Sequence, residues 1–236
     1  MGYYGYGYGM YFDWTYILVI IGVIITMIAS SRVNSTYAKF QKVRSHSGIT
    51  AAEAAERILH GAGIYDVRIE HISGNLTDNY DPRSKVLHLS DATYQSTSVA
   101  AIGVAAHECG HAIQDARGYA PLQVRGAIVP VVNISSNLAW PIILVGVLLS
   151  FNHTLITLGI VLFSLTVLFH LITLPVEFDA SGRALKILSS SHMLYEDEVA
   201  GARKVLTAAA MTYVASAAAS ILQLLRLLLL FGRRRD

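Results

Sequence analysis

The sequence predicts a mainly α membrane protein, with transmembrane helices joined to a small α+β region. Three observations predict this. Hydrophobic residues make up 53% of the 236-residue chain and charged residues only 14%, against about 25% charged in soluble domains. Long uncharged runs gather the surplus into segments of membrane length. Between the first run and the others lies a stretch whose caps and alternation suit a small soluble fold. The net charge of +2 gives no argument for a nucleic-acid partner. The single cysteine, Cys109, excludes an intrachain disulfide framework and a cysteine-rich metal site.

Residues 1–30 comprise a Tyr/Gly-rich start, MGYYGYGYGMYFDW, and a first transmembrane helix over 14–30. The start has no basic n-region and no small-residue cleavage site, so the span is expected to stay uncleaved. Tyr and Trp just before it suit a membrane interface. Residues 31–127 form the soluble region, opened by Arg32, Lys39, Lys42 and Arg44. Basic residues so close to a span favour the cytoplasmic side. Thr50 with Glu53 three residues later predicts a capping box and a helix to about His60, ended by Gly61 and Gly63. VRIEHI (67–72) and KVLHLS (85–90) alternate as two strands around a turn-rich loop. Ser90 or Asp91 is expected to cap the next helix, VAAIGVAAHECGHAIQDA.

Residues 128–175 contain two apolar stretches separated only by FNHT, which predicts a transmembrane hairpin. A polar helix-bearing segment over 176–204 follows. The apolar stretch within 205–236 is Ala-rich, then Leu-rich, carries Arg226, and ends in GRRRD. It reads as a fourth crossing, the alternative being a Leu-rich half lying along the interface.

The chemistry concentrates in His107-Glu108-Cys109-Gly110-His111. At about 3.6 residues per turn, i and i+4 share one helix face, so both imidazoles can reach a single ion. A catalytic zinc site takes three protein ligands and leaves a position open. Glu108, beside the first histidine, is placed for proton transfer. The bland alternative is an amphipathic helix with two half-exposed histidines. Small neighbours (Ala105, Ala106, Gly110, Ala112) argue against it, because they let another element approach. The metzincin position for a third histidine holds Arg117. A later glutamate is therefore needed. Glu177 suits best, with Ser181 and Ala184 on its helix face, while Glu196 and Glu198 stay open as rivals in the acidic LYEDEV cluster. Asp115, four residues beyond His111, could hold a ligand imidazole or be a plain surface carboxylate. Cys109 reads as a packing residue and His170 as an interfacial histidine. Arg183 or His192 could supply an oxyanion donor, though spacing selects neither.

HECGHAIQDA, the apolar hairpin and PVEFDASGRAL together resemble the YugP-type neutral zinc metallopeptidases, over nearly the whole chain. A more distant similarity is to the HtpX-type membrane proteases. The resemblance implies a gluzincin-like metallopeptidase region: one zinc ion held by His107, His111 and Glu177, with Glu108 as catalytic acid/base. It also implies a bacterial origin. The apolar runs predict a multi-pass cell-membrane protein, and the basic residues after the first span put the active site on the cytoplasmic side. The expected substrates are proteins or peptides, membrane proteins among them. The HtpX-type pattern places an Asp four residues after the ligand glutamate. Here that position is Ser181, and Asp179 is expected to face away from the metal. The competing readings are a membrane scaffold with a structural or vestigial zinc site, and a transporter. Intact Glu108 weakens the first; HECGH is unexplained by the second.

Overall fold

The computed structural model describes residues 13–232, so the Tyr-rich start before Asp13 and the basic tail after Gly232 lie outside the described residues. Helix α1 (Tyr16–Phe40) carries the first apolar run and continues past the expected boundary through Arg32 and Lys39. Ile17, Ile20, Ile24 and Met27 stay exposed along it, as on a helix that meets lipid. Helix α2 (Ala51–Gly61) starts at the expected capping box, with the Thr50 hydroxyl accepting from Glu53 N and the Glu53 carboxylate from Thr50 N. Gly63, at φ +78°, turns the chain away in the left-handed region.

The two expected strands form as β1 (Arg68–Ile72) and a third-in-line strand, β3 (Val86–Ser90), and they pair in parallel. Between them the turn-rich loop supplies an unexpected strand, β2 (Asn79–Asp81), antiparallel to β3. The sheet order is β1-β3-β2, which leaves β2 at an edge. The next helix starts later than expected. Ser98 caps α3 (Val99–Ala116), its hydroxyl accepting from Ala101 N, while Ser90 is engaged with Asp78 through its N–H and hydroxyl.

Helices α4 (Ala120–Leu148) and α5 (His153–Ser190) form the tight hairpin. Asn152 caps α5 by accepting from Leu155 N. The two helices come so close that a Cβ on Gly159 would sit 2.9 Å from the Ala139 carbonyl oxygen. Pro130, Pro141 and Pro175 all lie inside continuous helix. Helix α5 therefore runs on past residue 175 and carries Glu177 as a continuous extension of its apolar half. Helix α6 (Glu196–Phe231) likewise joins the acidic cluster and the last apolar stretch in one rod, about 54 Å long at 1.5 Å per residue. It runs antiparallel to α1. Gly201 meets Phe40 at one end, Gly22 meets Ala219 further along, and Arg226 lies 3.7 Å from Asp13 and over the Tyr16 ring at the other.

Helices α1, α4, α5 and α6 are long and apolar enough to cross a membrane, by length and composition. The core of the remaining unit is α3 packed among α2, β3, α5 and α6, with Ile58, Leu59, Leu87, Leu89, Ile102 and Leu188 fully buried. Cys109 belongs to this core, its Sγ facing the Ala55 carbonyl oxygen at 3.6 Å.

Candidate metal centre

Helix α3 presents His107, Glu108 and His111, and α5 brings Glu177 against them. The approach depends on a missing side chain. A Cβ on Gly110 would lie 2.6 Å from the Ala180 carbonyl oxygen, three residues after Glu177. One ligand-type atom from each of His107, His111 and Glu177 lies within 4.8 Å of the others. Glu177 Oε2 stands 3.2 Å from His107 Nε2 and 3.7 Å from His111 Nε2. The two rings meet edge to face with centroids 4.7 Å apart. Glu177 is 2% exposed, and a buried carboxylate requires partners. Arg125, on α4, provides one, with Nη1 3.1 Å from Oε1.

The outer nitrogens of both rings are occupied. His107 Nδ1 lies 3.1 Å from Ser181 Oγ, and His111 Nδ1 lies 3.0 Å from Gln114 Oε1. The orientation of Gln114 follows from its other contacts: its amide nitrogen donates to the Val176 carbonyl and to Asp179 Oδ2, at 2.9 and 2.8 Å. Only the Gln114 oxygen is left for His111, so the ring must donate from Nδ1. Its Nε2 lone pair then points inward, the arrangement that metal-ligating histidines use. Asp179 does face away from the histidines, as expected, but it acts on His111 through Gln114. It is also tied to Arg183 Nε at 2.5 Å.

Asp115, expected as a possible partner of an imidazole, makes its hydrogen bonds elsewhere. The Tyr80 hydroxyl and Lys85 Nζ donate to its Oδ2, at 2.8 and 2.5 Å. Those bonds anchor β2 and the β2–β3 turn beside the site. Glu198 sits at the N-terminus of α6, accepting from His46 N and Tyr195 N. His192 lies in the turn before α6 at φ +54°.

A cavity of about 590 Å³ opens on this cluster, lined by Tyr80, Glu108, His111, Arg125, Glu177 and Tyr213 among others. Glu108 is half-buried in its wall. Burial pushes the Glu108 carboxyl above the usual carboxylate range; His107 and His111 oppose that rise and Glu177 adds to it. Three of the lining groups were missed in the sequence. Arg125 and Tyr213 have no local spacing to the motif, and Tyr80 sits on a strand too short to show alternation.

Fold and site together define a mainly helical protein with membrane-length helices and a His/His/Glu cluster suited to a metal ion. The chain belongs to the family described as "Putative neutral zinc metallopeptidase", whose model matches residues 15–232. It is similar to the "Putative membrane protease YugP" of Bacillus subtilis (strain 168), with 46% identity over 219 residues, 93% of this chain and 97% of that protein. No solved structure matches.

Proposed function

We propose that this chain is a membrane-embedded, zinc-dependent endopeptidase with a gluzincin-like site. His107, His111 and Glu177 would hold one zinc ion, and Glu108 is the catalytic acid/base. The observation that carries the reading is the convergence of these three donors from α3 and α5 beside a cavity that His111, Glu177 and Glu108 line. The donor set fits the metal. Two imidazole nitrogens and a carboxylate oxygen are ordinary zinc ligands, and a three-ligand site leaves a position open, here toward the cavity. When bound, zinc supplies Lewis acidity that lowers the pKa of water to about 7 and polarises a carbonyl.

The chain's own residues do the remaining work. Ser181 and Gln114 orient the two rings. Arg125 holds Glu177 Oε1 and leaves Oε2 toward the histidines. Glu108 takes the proton of the attacking water and returns it to the leaving amine, a role that a raised carboxyl pKa favours. Edge strand β2 borders the cavity through Tyr80. An extended peptide pairing with that edge would be recognised largely through its backbone. Substrates are then proteins or peptides in extended form, membrane proteins among them.

In this reading the four apolar helices make a multi-pass protein. Residues 31–127 and 176–204 share the cytoplasmic side, because the α4–α5 hairpin returns Glu177 to the side of His107 and His111. Single-cysteine labelling tests the orientation. In a Cys109→Ser background, a cysteine at exposed Ser47 should react only with reagents that enter the cell. Labelling by an impermeant reagent in intact cells would reverse the orientation.

Metal analysis of purified protein tests the site. Wild type should hold one zinc per chain and cleave an unfolded membrane protein in a chelator-sensitive, zinc-restored manner. Glu177→Ala should lose zinc and Glu196→Ala should retain it. Full occupancy in Glu177→Ala would remove that residue from the ligand set.

A further inference from the structure

We propose that Tyr213 is a catalytic residue of this site, its phenol donating a hydrogen bond to the oxyanion that develops on the scissile carbonyl. The inference rests on the peptidase reading above. It starts from a need: acyl transfer builds negative charge on the carbonyl oxygen, and a preorganised donor aimed at that position is worth more than the same donor in water. The two groups that sequence suggested for this role do not line the cavity. Arg183 is committed to Asp179 and lies over the Tyr119 ring, and His192 stands in the turn before α6.

Among the described donors that do line the cavity, most are already engaged. The Tyr80 hydroxyl donates to Asp115, and Arg125 donates to Glu177. Asn79 donates to the Thr77 carbonyl. Arg83 and Gln123 are exposed at the rim. Tyr213 differs in its setting. It is half-buried in the cavity wall, where its phenol is hydrogen-bonded to Glu177 and lies close enough to Glu108 and Arg125 to feel their charges, among the groups around which the reaction would take place.

Its setting in α6 supports a purpose other than anchoring. Tyr213 is the only aromatic in the alanine- and serine-rich run 207–220, flanked on its own helix face by buried Ala210 and Ala217. Those small residues let α6 pack closely, as between membrane helices. A tyrosine that only marked the interface would put its hydroxyl in water or headgroups. This one puts it among the carboxylates of the site. The last membrane-length helix thereby contributes to the chemistry, about a hundred residues from the HECGH motif.

Tyr213→Phe removes one oxygen and keeps the ring, and it separates the possible roles. Zinc content and KM should match wild type while kcat falls about 10²–10³-fold, the effect of deleting one oxyanion donor. Affinity of the zinc-loaded protein for a phosphinic peptide, a tetrahedral mimic, should fall by a similar factor. Affinity for the cleaved product peptides should not change. Unchanged phosphinic binding would overturn the proposal, and so would loss of zinc, which would make Tyr213 a support for Glu177. Wild-type protein that holds no zinc and cleaves nothing would bring down the peptidase reading, and this one with it. Failure in the wild type is therefore distinct from failure confined to the variant.

Discussion

Glu108→Gln is expected to lower peptide hydrolysis by about 10²–10⁴-fold, the range that a positioned acid/base supplies, with zinc occupancy unchanged. The side chain keeps its shape and loses only the ability to accept and return a proton. Glu108 is outside the three-donor cluster, which comprises His107, His111 and Glu177. Stability gives a second readout. Burial already disfavours the Glu108 carboxylate, and a neutral amide escapes that penalty. The variant should therefore unfold at a temperature no lower than wild type. Zinc analysis, thermal unfolding in detergent and cleavage rate measured on one preparation separate the outcomes. A variant that cleaves at the wild-type rate would end the acid/base assignment. A variant that loses zinc would show Glu108 supporting the ligands.

The parts of this protein that were legible in its sequence are those set by neighbours along the chain. The i, i+4 histidines, the Thr50/Glu53 capping box and the hairpin around FNHT each need only a local pattern, and each is present in the structure. Glu177 was legible because it follows the hairpin closely in the sequence, and the structure brings it beside the two histidines. What escaped is set by contacts across the fold. Strand β2 has three residues, Asn79–Asp81, and exists because β3 pairs with it. Ser98 caps α3 in place of Ser90, because Asp78 holds Ser90 from twelve residues away. The continuity of α5 through Pro175 is likewise set by packing, since proline within a membrane helix is tolerated where neighbours support the freed groups. Gln114 sits in plain view between His111 and Asp115. Its role needs the Val176 carbonyl and Asp179, which lie more than sixty residues on. Nothing in the spacing of an amide on a helix announces such a contact.

Gly110→Ala should disrupt the site from a position that offers no ligand at all. Alanine is the better helix former by about 1 kcal/mol, so in isolation the change would stabilise α3. Here the added Cβ would lie 2.6 Å from the Ala180 carbonyl oxygen, closer than packed atoms tolerate. The obstacle is backbone and cannot swing aside, so α3 and α5 must separate. Overpacking of this kind costs about 1–3 kcal/mol, which outweighs the gain in propensity. The chemistry should suffer more than the fold. Glu177 lies one turn before Ala180 on α5, and its 3.2 Å approach to His107 Nε2 depends on the same contact. Zinc affinity is therefore expected to fall about tenfold or more, since misplaced supporting groups commonly cost 10–100-fold in metal affinity. Gly182→Ala supplies the control on the partner helix, α5. The Cβ it would add meets no other part of the fold within 4 Å, so it should raise the unfolding temperature and leave zinc affinity alone. Opposite signs for the two substitutions, read by thermal unfolding and zinc competition in detergent, would establish the α3–α5 contact as the element that assembles the site. Equal behaviour would mean that the histidines and Glu177 meet for some other reason.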